Sequence, residues 1–412
     1  MTEKINSIGI VKESRSDENR APIAPNQVSQ IIKKYPHINI VVQPSDKRTF
    51  KNKEYEQCGA KISEDLNNCD LLFGVKEVDS NNLIPNKDYV FFSHTYKLNK
   101  ETLSNAQGTP GMDKKELLKS ILSKKIKLID YENIRDKNGT RHLGFGRFAG
   151  IVGCYNTLNL FLSQNNFQTL ARAYKINDYE RIKNNLSEVR FPIFKLLITG
   201  DGRVNNGVQE ILEYTNIKQV SVKKFLEKNF EYPVYCNLET KDYVFHKSKK
   251  LFDLKHFIEY PKEYEASTFE YLKESDIFIS AHYWDPSSPK IFTKNQIKKF
   301  PKLKVIGDVT CDIDGSVPTT IRSTTIEEPN FFLNTETFFE IDKTKSDLAV
   351  MAVDNLPSEL PRDSSTEFGN GIVNEVIPYM LGKDDGRILN STIAMEGRFL
   401  EKYNYLNNYI NS

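Results

Sequence analysis

The stretch "LLITGDGRVNNGVQEILEYT", residues 196–215, decides the fold of the second half of the chain. Its first three residues, 196–198, form an apolar run that predicts a buried strand, and the spacing of the apolar residues after Gly207 predicts a helix. Glycines at 200 and 202 allow a tight turn and a close approach to a pyrophosphate, whose charge is stabilised at a helix N-terminus. We therefore expect the backbone of Gly200, Gly202 and Arg203 to bind the pyrophosphate of a dinucleotide.

This stretch departs from the usual dinucleotide fingerprint in two ways. Asn205 stands where the pattern GxGxxG has its third glycine, although Gly207 lies close by. The next predicted strand, "IKQVSV" at 217–222, does not end in the acid that usually holds the ribose 2′-hydroxyl. Lys223 and Lys224 follow it, and such lysines suit a 2′-phosphate. The residues alone thus leave NADP open beside NAD.

Outward from this stretch, apolar runs alternate with helical patterns along the whole chain. Runs of the first half include "SIGIVKES" at 7–14, "DLLFGVKEV" at 70–78 and "DYVFFSHTY" at 88–96. Nearly continuous apolar strands separated by helices predict a parallel sheet covered on both faces. The fold class is therefore α/β, with two Rossmann-like domains. Residues 223–262 are longer than a compact strand–helix–strand unit needs, and we interpret them as an insertion.

Composition excludes several classes of protein. A chain of 412 residues predicts two domains. The 57 Lys and Arg residues are scattered among 55 Asp and Glu residues, a net charge of +2 that argues against a nucleic-acid or polybasic membrane surface. No apolar run reaches the roughly 18 residues of a membrane span, and the N-terminus does not resemble a secretory signal. Five cysteines without a CxxC pair predict a reduced, cytoplasmic setting without a metal site.

Two further apolar runs end in polar residues, "DIFISAHYWD" at 276–285 and "LKVIGDVTCDIDGS" at 303–316. Loops at the carboxyl ends of parallel strands gather around a ligand. We expect Asp308 to contact the cofactor and His282 to be structural. Asp312 is either a turn residue or a ligand-binding one.

Five motifs carry a resemblance to a known family. "VKESRSDENRAPIAP" at 11–25 is similar to the opening of the alanine dehydrogenase/saccharopine dehydrogenase superfamily. Four further stretches resemble the lysine-forming saccharopine dehydrogenases more specifically. In chain order they are "FGVKE" (73–77), "FFSHTYK" (91–97), "LIDYENIRDKNGTRHLGFGRFAG" (128–150) and "AVDNLPSELPRDSS" (352–365). The resemblance implies a catalytic domain formed by residues 1–146 and 360–412 and a dinucleotide domain at 147–359. The active site would lie in the cleft between them.

The resemblance also implies a reaction and the residues for its proton transfers. Saccharopine would be interconverted with L-lysine and 2-oxoglutarate by hydride transfer to or from a nicotinamide. Lys76 and His94 would be the acid–base pair, tuned by Glu77 and Glu132. A free lysine has a pKa of about 10.4, so it needs burial or a neighbouring cation to act as a base near neutrality. Glu77 and Glu132 would raise the pKa of Lys76 and so oppose this effect.

The family pattern assigns substrate and cofactor contacts as well. Arg20 and Arg141 would bind substrate carboxylates through their planar guanidinium groups, and Lys97 is assigned to substrate binding too. NAD is the expected cofactor, with Asp354 and Leu356 near its nicotinamide. Two other functions stay open, an alanine dehydrogenase-like enzyme and a nucleotide-binding regulatory protein without catalysis. The sequence predicts small-molecule substrates and leaves the oligomeric state open.

Overall fold

The chain divides into two compact units. The computed structural model describes residues 5–96, 98, 109 and 111–412. The first unit comprises Met1–Phe145 with Pro361–Ser412, and the second comprises Gly146–Leu360. Each unit contains one large, mostly parallel sheet, as the sequence predicted.

The strands and helices of the described residues alternate along the chain. The strands are β1 (Ser7–Ile10), β2 (Asn39–Val42), β3 (Lys61–Ile62), β4 (Leu71–Phe73), β5 (Asp88–Phe91), β6 (Lys127–Asp130), β7 (Lys195–Thr199), β8 (Lys218–Gln219), β9 (Val234–Leu238), β10 (Val244–His246), β11 (Tyr264–Ala266), β12 (Ile277–Ser280), β13 (Val305–Asp308), β14 (Asn330–Leu333), β15 (Leu348–Met351), β16 (Thr392–Met395) and β17 (Arg398–Phe399). The α-helices are α1 (Pro25–Lys34), α2 (Asn52–Gln57), α3 (Lys114–Ser123), α4 (Gly146–Gln164), α5 (Ala173–Ile176), α6 (Tyr179–Glu188), α7 (Arg203–Leu212), α8 (Val222–Glu227), α9 (Thr240–Tyr243), α10 (Leu254–Glu259), α11 (Phe269–Lys273), α12 (Pro361–Glu375), α13 (Ile377–Leu381), α14 (Arg387–Ser391) and α15 (Leu406–Ile410).

The sheet of the first unit has the strand order β17-β16-β6-β5-β4-β1-β2-β3. Strands β1 to β6 pair in parallel, and β16 and β17 extend the sheet antiparallel at one edge. Successive residues of β4 alternate between two cores, with Leu71 and Phe73 on one face and Leu72 on the other. The strand order reverses between β1 and β4, and ligands of such sheets bind at the carboxyl ends beside that point.

The sheet of the second unit has the order β14-β15-β13-β12-β7-β9-β8, and only β14 runs antiparallel. Helix α4 is buried along most of its length, and glycines let it approach α7 closely. A Cβ added to Gly150 would lie 1.9 Å from the Val204 carbonyl oxygen, and one added to Gly207 would lie 2.0 Å from that of Arg147. Gly207 therefore serves helix packing, the role usually given to the third glycine of the fingerprint.

The prediction of an insertion at 223–262 is wrong in part. This segment contains β9, which pairs with β7 along five residues and lies inside the sheet. Outside the large sheet, the segment contains α9, β10 and α10, and β10 forms an antiparallel hairpin with β11, which follows the segment. The strand was missed because "VYCNL" is short and follows a polar stretch that ends in Pro233.

Candidate active site

Lys76 follows β4 at the point where the strand order of the first unit reverses. The Glu13 carboxylate, just beyond β1, accepts hydrogen bonds from the backbone N–H groups of Val75 (2.6 Å) and Lys76 (2.9 Å). No described residue forms a hydrogen bond or an ion pair with the half-buried Lys76 ammonium. Burial and then the charge of Arg20 lower the pKa of Lys76, while Glu18 and Glu77 oppose the shift. The net effect lowers the pKa of Lys76, as a base that acts near neutral pH requires.

Glu77 lies at the centre of a group of side chains here called the Glu77 cluster: Glu77 and Lys114, which are buried, and His94 and Thr109, which are half-buried. One carboxylate oxygen bonds His94 Nδ1 at 2.7 Å and also accepts from the Lys114 ammonium. The other accepts from the Thr109 backbone N–H (3.1 Å) and hydroxyl (2.8 Å). Burial alone would raise the pKa of Glu77, but His94, Lys114 and Lys76 lower it overall. Glu77 is therefore an ionised acceptor with all its partners in place.

His94 is oriented by both its ring and its backbone. Because Glu77 is ionised, the His94 Nδ1–H donates to it, which leaves a lone pair on Nε2 that no described residue engages. Its φ of 51° lies in the left-handed region, which is uncommon for a non-glycine residue. The buried Asp130 carboxylate fixes the preceding residue by accepting from both the N–H (3.1 Å) and the hydroxyl of Ser93. Burial and then Lys76 lower the pKa of His94, against Glu77 and Glu132.

The predicted substrate-binding arginines both face glutamates. Arg20 is buried and forms a two-pronged ion pair with Glu18, at 2.7 Å and 2.5 Å. Its guanidinium carbon also lies 4.0 Å from the centre of the Phe145 ring. Arg141 donates to the Leu143 carbonyl at 2.8 Å and lies 3.8 Å from Glu132. Lys97, the third predicted contact, lies outside the described residues.

The glycine-rich turn of the second unit is shaped for close approach. Gly200 has a φ of 124°, and a Cβ there would lie 2.4 Å from the Ala281 carbonyl oxygen. A Cβ on Gly202 would meet nothing within 4 Å, and residues 201–203 are exposed. Asn205, which departs from the fingerprint, donates to the Gly200 carbonyl at 2.7 Å and so supports the turn. The space and the start of α7 fit a pyrophosphate.

Asp308 does not fit its predicted role in cofactor binding. Its carboxylate is fully buried and accepts hydrogen bonds from the hydroxyl groups of Ser280, Thr310 and Thr320. Burial raises its pKa despite these bonds. Side chains this fully engaged hold the loop after β13 in place, so we correct the prediction to a structural role.

Asp354 and Leu356 follow β15 in the second unit. The Asp354 backbone N–H donates to the Thr324 carbonyl at 3.4 Å, and Leu356 is buried at the start of a short 3₁₀ helix, Leu356–Glu359. Their contact with the nicotinamide stays a prediction.

Glu239 is a candidate that sequence reasoning missed. The strand beside β7 is β9 rather than β8, so the ribose acid is expected after β9. Glu239 is the residue that follows it, and the next backbone N–H, of Thr240, donates to Asp201 in the glycine-rich turn at 3.4 Å. Lys223 and Lys224 instead follow the edge strand β8. The sequence feature that indicates this site is the apolar run "VYCNL" at 234–238, which the acidic residue Glu239 follows directly.

Among the described residues, His246, His256 and Glu263 form one group with metal-ligand chemistry. The Ser248 backbone N–H donates to His246 Nδ1 at 3.0 Å, so the ring proton lies on Nε2, which faces Glu263 at 3.1 Å. A metal needs a lone pair at that nitrogen. His246 and Glu263 therefore form a hydrogen-bonded pair, and we assign no metal to this group.

Two family models match the chain on either side of the glycine-rich turn. Residues 9–152 match the N-terminal domain of alanine dehydrogenase/PNT, and residues 236–397 match the C-terminal domain. The chain belongs to the alanine dehydrogenase/PNT family. None of the helices in the described residues is both long and apolar enough to cross a membrane.

Curated relatives of this alanine dehydrogenase/PNT chain include proteins named as an alpha-aminoadipic semialdehyde synthase and as a saccharopine dehydrogenase. Alpha-aminoadipic semialdehyde synthase of Arabidopsis thaliana is 29% identical, over 97% of this chain and 41% of that protein. The mitochondrial protein of that name from Bos taurus is 27% identical, over 94% of this chain and 46% of its own length. The chain thus spans less than half the length of these relatives. Saccharopine dehydrogenase [NAD(+), L-lysine-forming] of Schizosaccharomyces pombe is 24% identical, over 82% of this chain and 84% of that protein.

Solved structures show the same fold at lower identity. An L-alanine dehydrogenase matches 98% of this chain with a TM-score of 0.59 and 13% identity. The transhydrogenase of Sinorhizobium meliloti matches 96% with a TM-score of 0.59 and 11% identity. These likenesses support the two-domain α/β fold.

Proposed function

We propose that this chain is a nicotinamide-dependent oxidoreductase that interconverts saccharopine with L-lysine and 2-oxoglutarate. The observation that carries the proposal is that Lys76 and His94 lie near enough for the charge of Lys76 to lower the pKa of His94. Each has a nitrogen that no described residue engages, and the pKa of each is lowered by burial. The names of the relatives that span most of this chain support the same substrate class.

The proposed reaction needs three proton transfers in the oxidative direction. The secondary amine must lose a proton, water must be activated to add to the imine, and the leaving lysine amine must gain a proton. Neutral Lys76 is suited to the first, because its lowered pKa makes the uncharged amine accessible. His94 Nε2 is suited to the water step, since Glu77 fixes the ring with that lone pair available. A nicotinamide held by the second unit would supply the hydride chemistry.

Carboxylate recognition is assigned to the first unit. Saccharopine and 2-oxoglutarate carry several carboxylates, and Arg20 and Arg141 offer planar guanidinium groups for them. Glu18 already occupies much of the Arg20 donor face. We propose that Glu18 pre-orients Arg20, whereas Arg141, only loosely paired with Glu132, binds substrate more directly. Lys97 remains a proposed third contact.

Cofactor binding is assigned to the second unit. The amides of Gly200, Gly202 and Arg203 would hold the pyrophosphate, and Asp354 and Leu356 would lie near the nicotinamide. Glu239 would accept from the ribose 2′-hydroxyl and repel a 2′-phosphate, which favours NAD over NADP.

One assay tests the proposal. Absorbance at 340 nm is followed with lysine, 2-oxoglutarate and either NADH or NADPH, and with pyruvate plus ammonia in place of the first two. We expect lysine with 2-oxoglutarate and NADH to be the best combination. Faster turnover of pyruvate with ammonia would replace the proposal by an alanine dehydrogenase-like function. Cofactor binding without turnover of either pair would favour a regulatory protein.

A further inference from the structure

Lys114 is a buried cation that no sequence motif singled out. It is the first residue of α3, whose N-terminus is capped by Asp113 through bonds from the N–H groups of Lys115 (2.8 Å) and Glu116 (3.1 Å). Only 6% of Lys114 is exposed. Its ammonium donates to the Glu77 carboxylate and, at 3.2 Å, to the Ser93 carbonyl. A lysine is almost never this buried unless it is paired.

The charge balance of the Glu77 cluster depends on this lysine. His94 and Lys114 bind the same oxygen of Glu77. With Lys114 present, the cluster is neutral when His94 is neutral, and a proton on His94 would leave a buried net positive charge. Without Lys114, the cluster would be neutral only when His94 is protonated. Burial disfavours the net charge in either case.

Other charged groups also act on His94, and Lys76 and Glu132 do so with opposite sign. Lys76 lies after β4 and opposes protonation of His94, whereas Glu132, after β6, favours it. Asp130, at the end of β6, reaches His94 through its bonds to Ser93. Burial and then Glu132 raise the pKa of Asp130 to about 7. Lys114 is the charged group that α3 contributes. It acts on His94 through two neighbours, the Glu77 carboxylate and the carbonyl of Ser93.

We propose that Lys114 is a positioning residue for the proton-transfer pair: it neutralises Glu77 and anchors Ser93, so that His94 stays uncharged with its Nε2 aimed for catalysis. The proposal rests on the function proposed above. It concerns a residue outside the resembling motifs and makes α3 part of the catalytic architecture.

The test measures protonation of His94 directly. Imidazole NMR signals of the full-length protein are titrated from pH 5 to 9, with His94→Gln used to assign the His94 signal. Lys114→Met removes the charge, Lys114→Arg keeps it, and Lys119→Met removes an exposed lysine of the same helix. We expect Lys114→Met to move the His94 midpoint up by about one pH unit or more, since an ionised neighbour shifts a pKa by that amount. The arginine variant should restore it, and Lys119→Met should leave it unchanged.

The same shift is expected in the acid limb of the pH–rate profile. If Lys114→Met does not fold, Lys114→Gln keeps a hydrogen-bond donor without the charge and should give the same upward shift. A His94 midpoint within about 0.3 pH units of the parent in a folded charge-removing variant would overturn the proposal. The NMR titration needs no turnover, so its outcome is separate from the assay. A protein inactive toward lysine and 2-oxoglutarate could still show the shift, and an active one could lack it.

Discussion

The Glu77 cluster and the glycine-rich turn are built by opposite means. In the cluster the buried charges of Glu77 and Lys114 are matched one to one, and both oxygens of Glu77 have partners. The turn presents exposed backbone at residues 201–203, with no room for a side chain at Gly200 and open space at Gly202. Proton transfer needs tuned side-chain pKa values, whereas a pyrophosphate needs N–H groups and space. A substitution that changes charge but not size should therefore impair the Glu77 cluster. The glycine-rich turn should be impaired only by a substitution that adds a Cβ atom.

The largest effect is expected from Lys76→Met. It should lower turnover by about 10²–10⁴-fold, the usual contribution of a positioned general acid or base. Because Lys76 lies in the first unit, the dissociation constant for NADH should not change. Steady-state kinetics and a fluorescence titration measure the two quantities. His94→Gln should also slow turnover, and each variant should lose one limb of its pH–rate profile. Turnover within threefold of the parent in both variants across pH 6–10 would show that the pair is not catalytic.

A pair of glycine substitutions breaks the turn in two different ways. Gly200→Ala places a Cβ against the Ala281 carbonyl in a positive-φ conformation, so the second unit should lose about 1–3 kcal/mol of stability. Gly202→Ala meets no protein atom and should leave stability unchanged. It should still weaken NADH binding, because the methyl group would occupy space meant for the pyrophosphate. Denaturant unfolding and NADH titration of both variants separate the effects. Unchanged NADH affinity in Gly202→Ala would remove the turn from the cofactor site.

A smaller effect is expected at the end of β9. Glu239→Gln removes the negative charge that we propose to face the ribose, so the ratio of NADPH to NADH affinity should rise by about tenfold, or about 1.4 kcal/mol. Glu227→Gln, an exposed glutamate at the end of α8, is the matched control. An unchanged ratio in Glu239→Gln would place the ribose elsewhere.

The sequence predicted the type of fold better than the order of its strands. Alternating apolar runs and helical patterns indicated parallel sheets because each strand is buried on both faces. Pairing order is set by contacts between distant segments, and no local pattern showed that β9 lies beside β7. Strand β8 consists of two exposed residues at the edge, so the apolar strand was the better guide to the centre of the sheet.

The same limit applies to the sites. Lys76 and His94 were predicted as the acid–base pair because family motifs contain them, and Glu77 adjoins Lys76 in the sequence. Lys114 lies 37 residues from Glu77 in the chain, and its helix reads as an ordinary amphipathic surface helix. Asp308 was assigned to the cofactor because it ends a strand, but its neighbours in space include Thr320, which bonds its carboxylate from 12 residues away. Burial and partnering decide such cases, and both depend on the folded chain.

The last prediction concerns the pH dependence of stability in the second unit. His282 is buried and bonds the Thr199 hydroxyl through Nδ1 at 2.7 Å, and burial lowers its pKa to about 4. In the unfolded chain its pKa would be about 6.5. Between these values the unfolded state binds more protons, so the free energy of unfolding should fall as pH falls from about 6.5 to 4. The slope from this one residue is at most about 1.4 kcal/mol per pH unit. His282→Asn should flatten that slope, whereas exposed His37→Asn should not. Hydrogen exchange of peptides from β7 and β12 at pH 4.5 and 6.5 measures it, and an equal loss of protection in both variants would assign the acid sensitivity to other groups.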